Sequence, residues 1–120
     1  MQLDGILVLN KPTGISSAHC VSRIKRLGQK KIGHAGTLDP MASGVLIVLL
    51  GQATKLSGFL LEEGSKTYSG CLRLGTVTDT WDIEGKILEQ KDWSCVKTED
   101  VAAAVEAWLG ESTQIAPFIF

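Results

Sequence analysis

The alternation of apolar and polar positions divides the chain into short elements. Gly5-Ile6-Leu7-Val8-Leu9-Asn10 is a continuous run that predicts a buried strand, stopped by Lys11-Pro12-Thr13-Gly14. Ser16 or Ser17 can then cap a helix. In it Cys20, Ile24 and Leu27 recur on one stripe, Arg23, Lys25 and Arg26 point elsewhere, and Gly28 suits the C-terminal end. Gly33-His34-Ala35-Gly36-Thr37-Leu38-Asp39-Pro40 is too rich in glycine for a helix and predicts a loop. Val45-Leu46-Ile47-Val48-Leu49-Leu50 predicts a second buried strand closed by Gly51, and residues 53–61 a short helix ending near Gly64.

Period two returns between residues 66 and 74. Tyr68, Leu72 and Leu74 alternate with Thr67, Ser69, Cys71 and Arg73, which predicts a half-buried strand. Asp79-Thr80-Trp81-Asp82 reads as a turn, and Gly85-Lys86-Ile87-Leu88-Glu89 as the start of a partner strand. Thr98 is the expected N-cap of a last helix, with Glu99 and Asp100 in its first turn, where the helix dipole favours them. Val101, Val105, Trp108 and Leu109 line one face of it, and Gly110 ends it. The order β-α-loop-β-α-β-β-α predicts an α/β or α+β fold, a mixed β-sheet with flanking helices. No repeat, low-complexity tract or linker interrupts residues 1–120.

Composition bounds this picture. A chain of 120 residues, 44% hydrophobic and 21% charged, holds one small domain with its own core, unlike disordered or collagen-like chains. The longest apolar run, residues 45–50, is strand-sized and far short of the roughly 18 residues of a membrane span. Cys20, Cys71 and Cys95 are odd in number and form no CxxC pair. That argues against a disulfide framework or zinc site and predicts reduced, mostly buried thiols in a cytosolic protein. Met1-Gln2-Leu3-Asp4 carries no basic leader or cleavage site, so no export signal is expected. Ala116-Pro117-Phe118-Ile119-Phe120 ends on apolar residues without a polar tail, the expectation for a piece of a longer chain.

Charge changes the picture more. The net charge is only -1, yet no acidic residue lies between Gly5 and Leu38, where Lys11, Arg23, Lys25, Arg26, Lys30, Lys31, His19 and His34 all fall. Most carboxylates come later, between Glu62 and Glu111. Such a stretch suits either a polyanion contacted by one face or a solvated helix face. Asp39 is the acidic residue beyond it. Glycines 33 and 36 permit close approach of a ligand, Pro40 fixes the geometry after the carboxylate, and the following strand anchors the loop. On the residues alone, an Asp-Pro pair is more often a turn in which Asp bonds its own backbone.

The stretch Gly33-His34-Ala35-Gly36-Thr37-Leu38-Asp39-Pro40-Met41-Ala42-Ser43-Gly44-Val45-Leu46 resembles the signature of the bacterial tRNA pseudouridine-55 synthase (TruB-like) family, shared with the RNA-guided dyskerin-type enzymes. Asp4-Gly5-Ile6-Leu7-Val8-Leu9-Asn10-Lys11-Pro12 with Gly14-Ile15-Ser16-Ser17 resembles the family's opening strand and turn. Lys66-Thr67-Tyr68 resembles its K-x-Y element, and Leu74-Gly75 with Thr78-Asp79-Thr80 its L-G-x-x-T-D-T segment. The resemblance implies that uridine in tRNA is isomerised to pseudouridine. The aspartate matching Asp39 would be the nucleophile, acting on a base flipped from its stack. It assigns Tyr68 to stacking on the flipped uridine and His34 to the rearranged T-loop. It implies no metal and no organic cofactor. Lys25, Arg26, Lys30 and Lys31 could then contact phosphates of the T-arm.

The residues themselves also allow plainer roles. Tyr68 shares a strand face with Leu72 and Leu74, as a core tyrosine would, and His34 could bond a loop carbonyl. His19 reads as surface or structural, Asp79 and Asp82 as turn residues, and Trp81, Trp93 and Trp108 as packing. Family members run to more than twice this length. Their second half supplies an arginine partner for the aspartate, a hydrophobic residue under the base, further strands and a C-terminal RNA-binding domain. The family's Ser-Ala-x-Lys element has no counterpart after Ile115-Ala116-Pro117-Phe118. Residues 1–120 are therefore expected to form the N-terminal part of a catalytic domain, weakly active or inactive alone. Unpaired sheet edges would favour self-association. Two alternatives are a non-catalytic RNA-binding fragment and the catalytic subunit of a guide-RNA-directed enzyme.

Overall fold

Strand β1 (Gly5–Lys11) and strand β3 (Gly44–Leu50) pair antiparallel along their full length, and β2 (Ile32–Ala35) pairs with the other side of β3. Directly opposite residues share a face, so the register sorts the side chains. Leu7 and His34 flank Val48, Leu9 faces Leu46, and Ile32 faces Leu50. On this face helix α1 (Ser17–Arg26) lays Cys20 and Ile24 against Leu46, Val48 and Leu50, with Ile15 and Leu38 completing the cluster. Leu46 and Val48 are fully buried, and their burial contributes on the order of 1.5–3 kcal/mol each. Lys11 continues the inward period of Leu7 and Leu9, and its side chain is buried. A 3-10 helix (Gly51–Leu56) and α2 (Ser57–Glu62) follow β3.

In the computed structural model, which describes residues 2–115, the chain divides between Thr67 and Tyr68 into two compact units. The second unit holds β4 (Thr76–Thr78), β5 (Ile87–Gln90) and α3 (Thr98–Ala107). β4 and β5 form an antiparallel pair. In the link between them Asp79 Oδ1 accepts from the Lys86 N–H, and Asp82 Oδ1 accepts from Thr80 Oγ1 and from the Glu84 and Gly85 N–H groups. Both aspartates are turn residues, as their spacing predicts. Each sheet is antiparallel and helices accompany the strands, so the fold is α+β. No helix among the described residues is long and apolar enough to cross a membrane. Residues 116–120, with their apolar ending, lie outside the described residues.

Several local expectations are corrected. β1 is buried on one face only: it is a sheet edge, and Ile6 and Val8 stay exposed on the face that α1 does not cover. Residues 33–35 belong to β2 rather than to a loop, because Gly33 and Ala35 pair with Leu49 and Ile47 and an edge strand tolerates glycine. Leu27 lies past the last turn of α1 and is exposed. No strand forms over residues 66–74; alternation supplies faces but not a ladder, and β5 pairs with β4 instead. Tyr68 and Leu72 are therefore exposed rather than in a core. The cap of α3 is Lys97, whose N–H donates to Asp100 Oδ2 at 2.9 Å, so Thr98 is already helical. Val105, Trp108 and Leu109 are exposed, as are Trp81 and Trp93. Of the three free thiols only Cys20 is buried, since Cys71 and Cys95 lie outside regular elements.

Candidate active site

Asp39 sits on the connection from β2 to β3, which departs at Gly36 and enters β3 at Gly44. Gly36 has φ +87°, a conformation side chains with a Cβ rarely adopt, while the space around it would admit a methyl group. His34, at the end of β2, donates from Nδ1 to the Gly36 carbonyl at 2.6 Å, the plain role its position between glycines allows.

Three residues between the end of β1 and the start of α1, Lys11, Gly14 and Ser17, reach this loop on either side of Asp39. The hydroxyl of Ser17, buried at the start of α1, accepts from the Leu38 N–H and donates to the Leu38 carbonyl, both at 3.0 Å. The Pro40 carbonyl accepts from the Gly14 N–H at 2.7 Å and, more distantly, from Lys11 Nζ at 3.4 Å. Lys11 Nζ also donates to the carbonyls of Ile15 at 2.7 Å and Pro12 at 2.9 Å, so its buried ammonium is satisfied by main-chain acceptors. The turn itself is closed by the backbone, the Ala42 N–H donating to the Asp39 carbonyl at 3.0 Å.

The side chain of Asp39 is exposed, and among the described residues it takes part in no hydrogen bond or ion pair. The self-bonded Asp-Pro turn does not form; the backbone bond takes its place. An unengaged carboxylate on an anchored turn can serve as nucleophile or as general base.

The other candidates fall in two places. Lys25 and Arg26 are in the last turn of α1, and Lys30 and Lys31 on the link to β2; all four are exposed. That link is held from beneath. Gln29 is buried, accepting from the Leu3 N–H and donating to the carbonyls of Leu3 and Lys31. Gln2 donates to the Gly28 carbonyl and accepts from the Lys30 N–H. Tyr68 lies in the other unit, exposed and outside any strand. His19 is exposed and accepts from Arg23 Nε at 3.2 Å. Among the described residues, no three His, Cys, Asp or Glu side chains gather as a metal site requires.

Sequence reasoning named neither Lys11 nor Ser17 as part of this site, though both left signals. The strand period that points Leu7 and Leu9 inward also points Lys11 inward. Of the serine pair one is the cap, Ser16 accepting from the His19 N–H, which leaves Ser17 for another partner.

Comparison with known proteins shows relatives along most of the chain. The model of the TruB family pseudouridylate synthase N-terminal domain matches residues 24–119. The tRNA pseudouridine synthase B of Oleidesulfovibrio alaskensis is 66% identical over 116 residues, covering 97% of this chain and 38% of its own length. That of Nitratidesulfovibrio vulgaris (Hildenborough) is 61% identical over 117 residues, with 98% and 38% covered. That of Burkholderia mallei is 50% identical over 116 residues, with 96% and 38% covered. The chain thus spans little more than a third of the length of the curated relatives it matches. With the family model matched over most of its residues, the chain belongs to the TruB family of pseudouridylate synthases, to the family's N-terminal domain.

Proposed function

We propose that this chain carries the nucleophile of an enzyme that isomerises uridine to pseudouridine in tRNA, with uridine 55 of the T-loop as target and Asp39 as the nucleophile. The observation that carries the reading is the state of Asp39: its neighbours on both sides are pinned, its own carboxylate is unengaged, and it stands within the Gly33-to-Leu46 signature. The relatives are tRNA pseudouridine synthases B by name, which supplies the substrate class. A carboxylate is ionised near neutral pH and can bond covalently to the nucleoside as the N1–C1′ glycosidic bond breaks; the freed base rotates and re-bonds through C5, the carboxylate leaves again, and the C5 hydrogen passes to water. The target base must be flipped out to be reached. Tyr68 stacks on it in this reading, and His34 lies against the T-loop. Lys25, Arg26, Lys30 and Lys31 hold T-arm phosphates and position the RNA without reading its sequence.

Residues 1–120 are in this view the N-terminal part of a catalytic domain acting in the cytoplasm. The chain spans 38% of the length of its relatives, which fits the N-terminal part of a longer protein. Tritium release from 5-³H-uridine T-arm RNA tests it in the full-length protein. Asp39→Asn abolishes release and leaves RNA binding intact. Release that persists in Asp39→Asn removes the nucleophile assignment. Replacing Lys30 and Lys31 by Ala lowers the salt dependence of binding by about one unit of log-log slope for each phosphate no longer held.

A second reading, a non-catalytic RNA-binding fragment, is favoured by the exposed cluster of Lys25, Arg26, Lys30 and Lys31. Salt-sensitive binding by the isolated chain without tritium release would support it. Among the described residues no strand pairs with the outer edges of β1 and β2, which favours self-association of the isolated chain, read by its sedimentation.

A further inference from the structure

We infer that Ser17 is a positioning residue for the reaction, setting the direction from which Asp39 meets its substrate; this rests on the reading of Asp39 as nucleophile. A serine hydroxyl offers one donor and two acceptor sites, and Ser17 spends its donor and one acceptor on the same residue, Leu38. The Leu38 N–H belongs to the peptide plane before Leu38 and its carbonyl to the plane after it. Both planes are therefore fixed against the first turn of α1. The second is the plane that carries the amide nitrogen of Asp39.

Beyond Asp39, the proline ring fixes one torsion, and the Pro40 carbonyl is held by Gly14 and Lys11. Between the two anchors the backbone rotations left free are those of Asp39 itself and the ψ of Pro40. The Ala42 N–H bond to the Asp39 carbonyl constrains these further. Ser17 is 1% exposed, so water cannot easily substitute for the hydroxyl. Leu38 also packs against the core, so the clamp ties the carboxylate's mount to the sheet and to α1 together. A group displaced by about 1 Å can lose on the order of 100-fold in rate, so a clamp one residue away is placed to matter. Ser17 touches no substrate in this account; it acts through the backbone.

The experiment compares Ser17→Ala, Ser17→Cys and Ser17→Thr in the full-length protein, with Asp39→Asn beside them. Single-turnover tritium release, RNA affinity and exchange of the Leu38 amide are followed together. Ser17→Ala and Ser17→Cys should release tritium roughly 10- to 100-fold more slowly at unchanged RNA affinity, with faster Leu38 amide exchange. Ser17→Thr, which keeps the hydroxyl, should restore both. Cysteine keeps the buried volume, so the comparison survives if the alanine variant does not fold. A cysteine variant at wild-type rate would show that packing alone is needed and would overturn the inference, as would unchanged Leu38 exchange in Ser17→Ala. Inactive Asp39→Asn with full-rate Ser17→Ala would overturn the clamp alone. Active Asp39→Asn would overturn the reading of Asp39, and with it the purpose assigned to Ser17.

Discussion

Replacing Lys11 by Met separates what its ammonium does from what its stem does. The stem lies on the inward face of β1 beside Leu9, and methionine keeps most of that packing. The substitution removes three donations, at 2.7, 2.9 and 3.4 Å. The longest is weak, and its acceptor on Pro40 keeps the Gly14 N–H, so two bonds decide the outcome. Hydrogen bonds to a charged group contribute about 1.5–3 kcal/mol each. Against them stands the cost of holding an ammonium out of water, several kcal/mol, which the substitution also removes. The freed acceptors on Pro12 and Ile15 belong to residues that are not buried, so water can reach them and the penalty stays near the low end of about 1–3 kcal/mol each. The net expectation is a destabilisation of about 1–2 kcal/mol. For a unit of this size that is a fall in Tm of roughly 5–15 °C, read by circular dichroism during heating. A Lys11→Met protein as stable as the wild type would mean that desolvation cancels the bonds, and would refute Lys11 as a stabilising anchor.

Other expectations follow from single features. Leu46→Ala, at a fully buried core position, should lose about 2–5 kcal/mol in urea unfolding, and a loss under about 1 kcal/mol would mean that the core is less closed than its burial indicates. Gly36→Ala places a Cβ at φ +87°, costing about 1–2 kcal/mol, and should slow tritium release more than it weakens RNA binding. The Thr80 hydroxyl, then the Glu84 N–H, hold the Asp82 carboxyl below the ordinary 3.8. A depressed folded pKa contributes stability that is present above 3.8 and lost as pH falls through the folded value, so the β4–β5 link should loosen only below pH 3.8. Carboxyl NMR should show Thr80→Val moving the Asp82 midpoint upward, and a midpoint that stays put would remove Thr80 as the main cause.

The elements legible in the sequence are those whose pattern and partner both lie close by. β3 is readable because a run apolar at every position fits the central strand of a small sheet, and α1 because its cap, stripe and terminal glycine agree. Gly28 takes φ +102° where a helix end needs it. The strand expected over residues 66–74 fails for the converse reason. Its alternation is real, but a strand exists only with a neighbour, and no sequence pattern states which segment supplies the hydrogen bonds. β2 shows the same rule from the other side: a glycine-rich segment becomes a strand because β3 offers an unpaired edge. Asp39 could be named as a candidate from its loop and its resemblance, whereas the inward period of Lys11 and the second serine of the pair show only that each needs a partner. Their partners in the loop lie more than twenty residues away and are main-chain carbonyls and amides, which leave no trace in side-chain identity.

That choice of partners bears on how a carboxylate can be both held and available. An aspartate that fixes its own turn spends its oxygens on its own backbone, and a ligand must then compete with that turn. Here the holding is done by others: Ser17 grips the residue before Asp39, Gly14 and Lys11 grip the residue after it, and the Ala42 N–H closes the turn through the main chain. Every one of these bonds engages a backbone group of the loop, so none depends on a loop side chain and none occupies the carboxylate. The opening strand and turn and the loop around Asp39 therefore form one device, although about twenty residues separate Ser17 from Leu38 in sequence. Changes at Lys11, Gly14 or Ser17 should act on Asp39 as changes in the loop itself do. Pairs of substitutions across the two segments should consequently fall short of additive in their effect on rate, because either alone already frees the same turn.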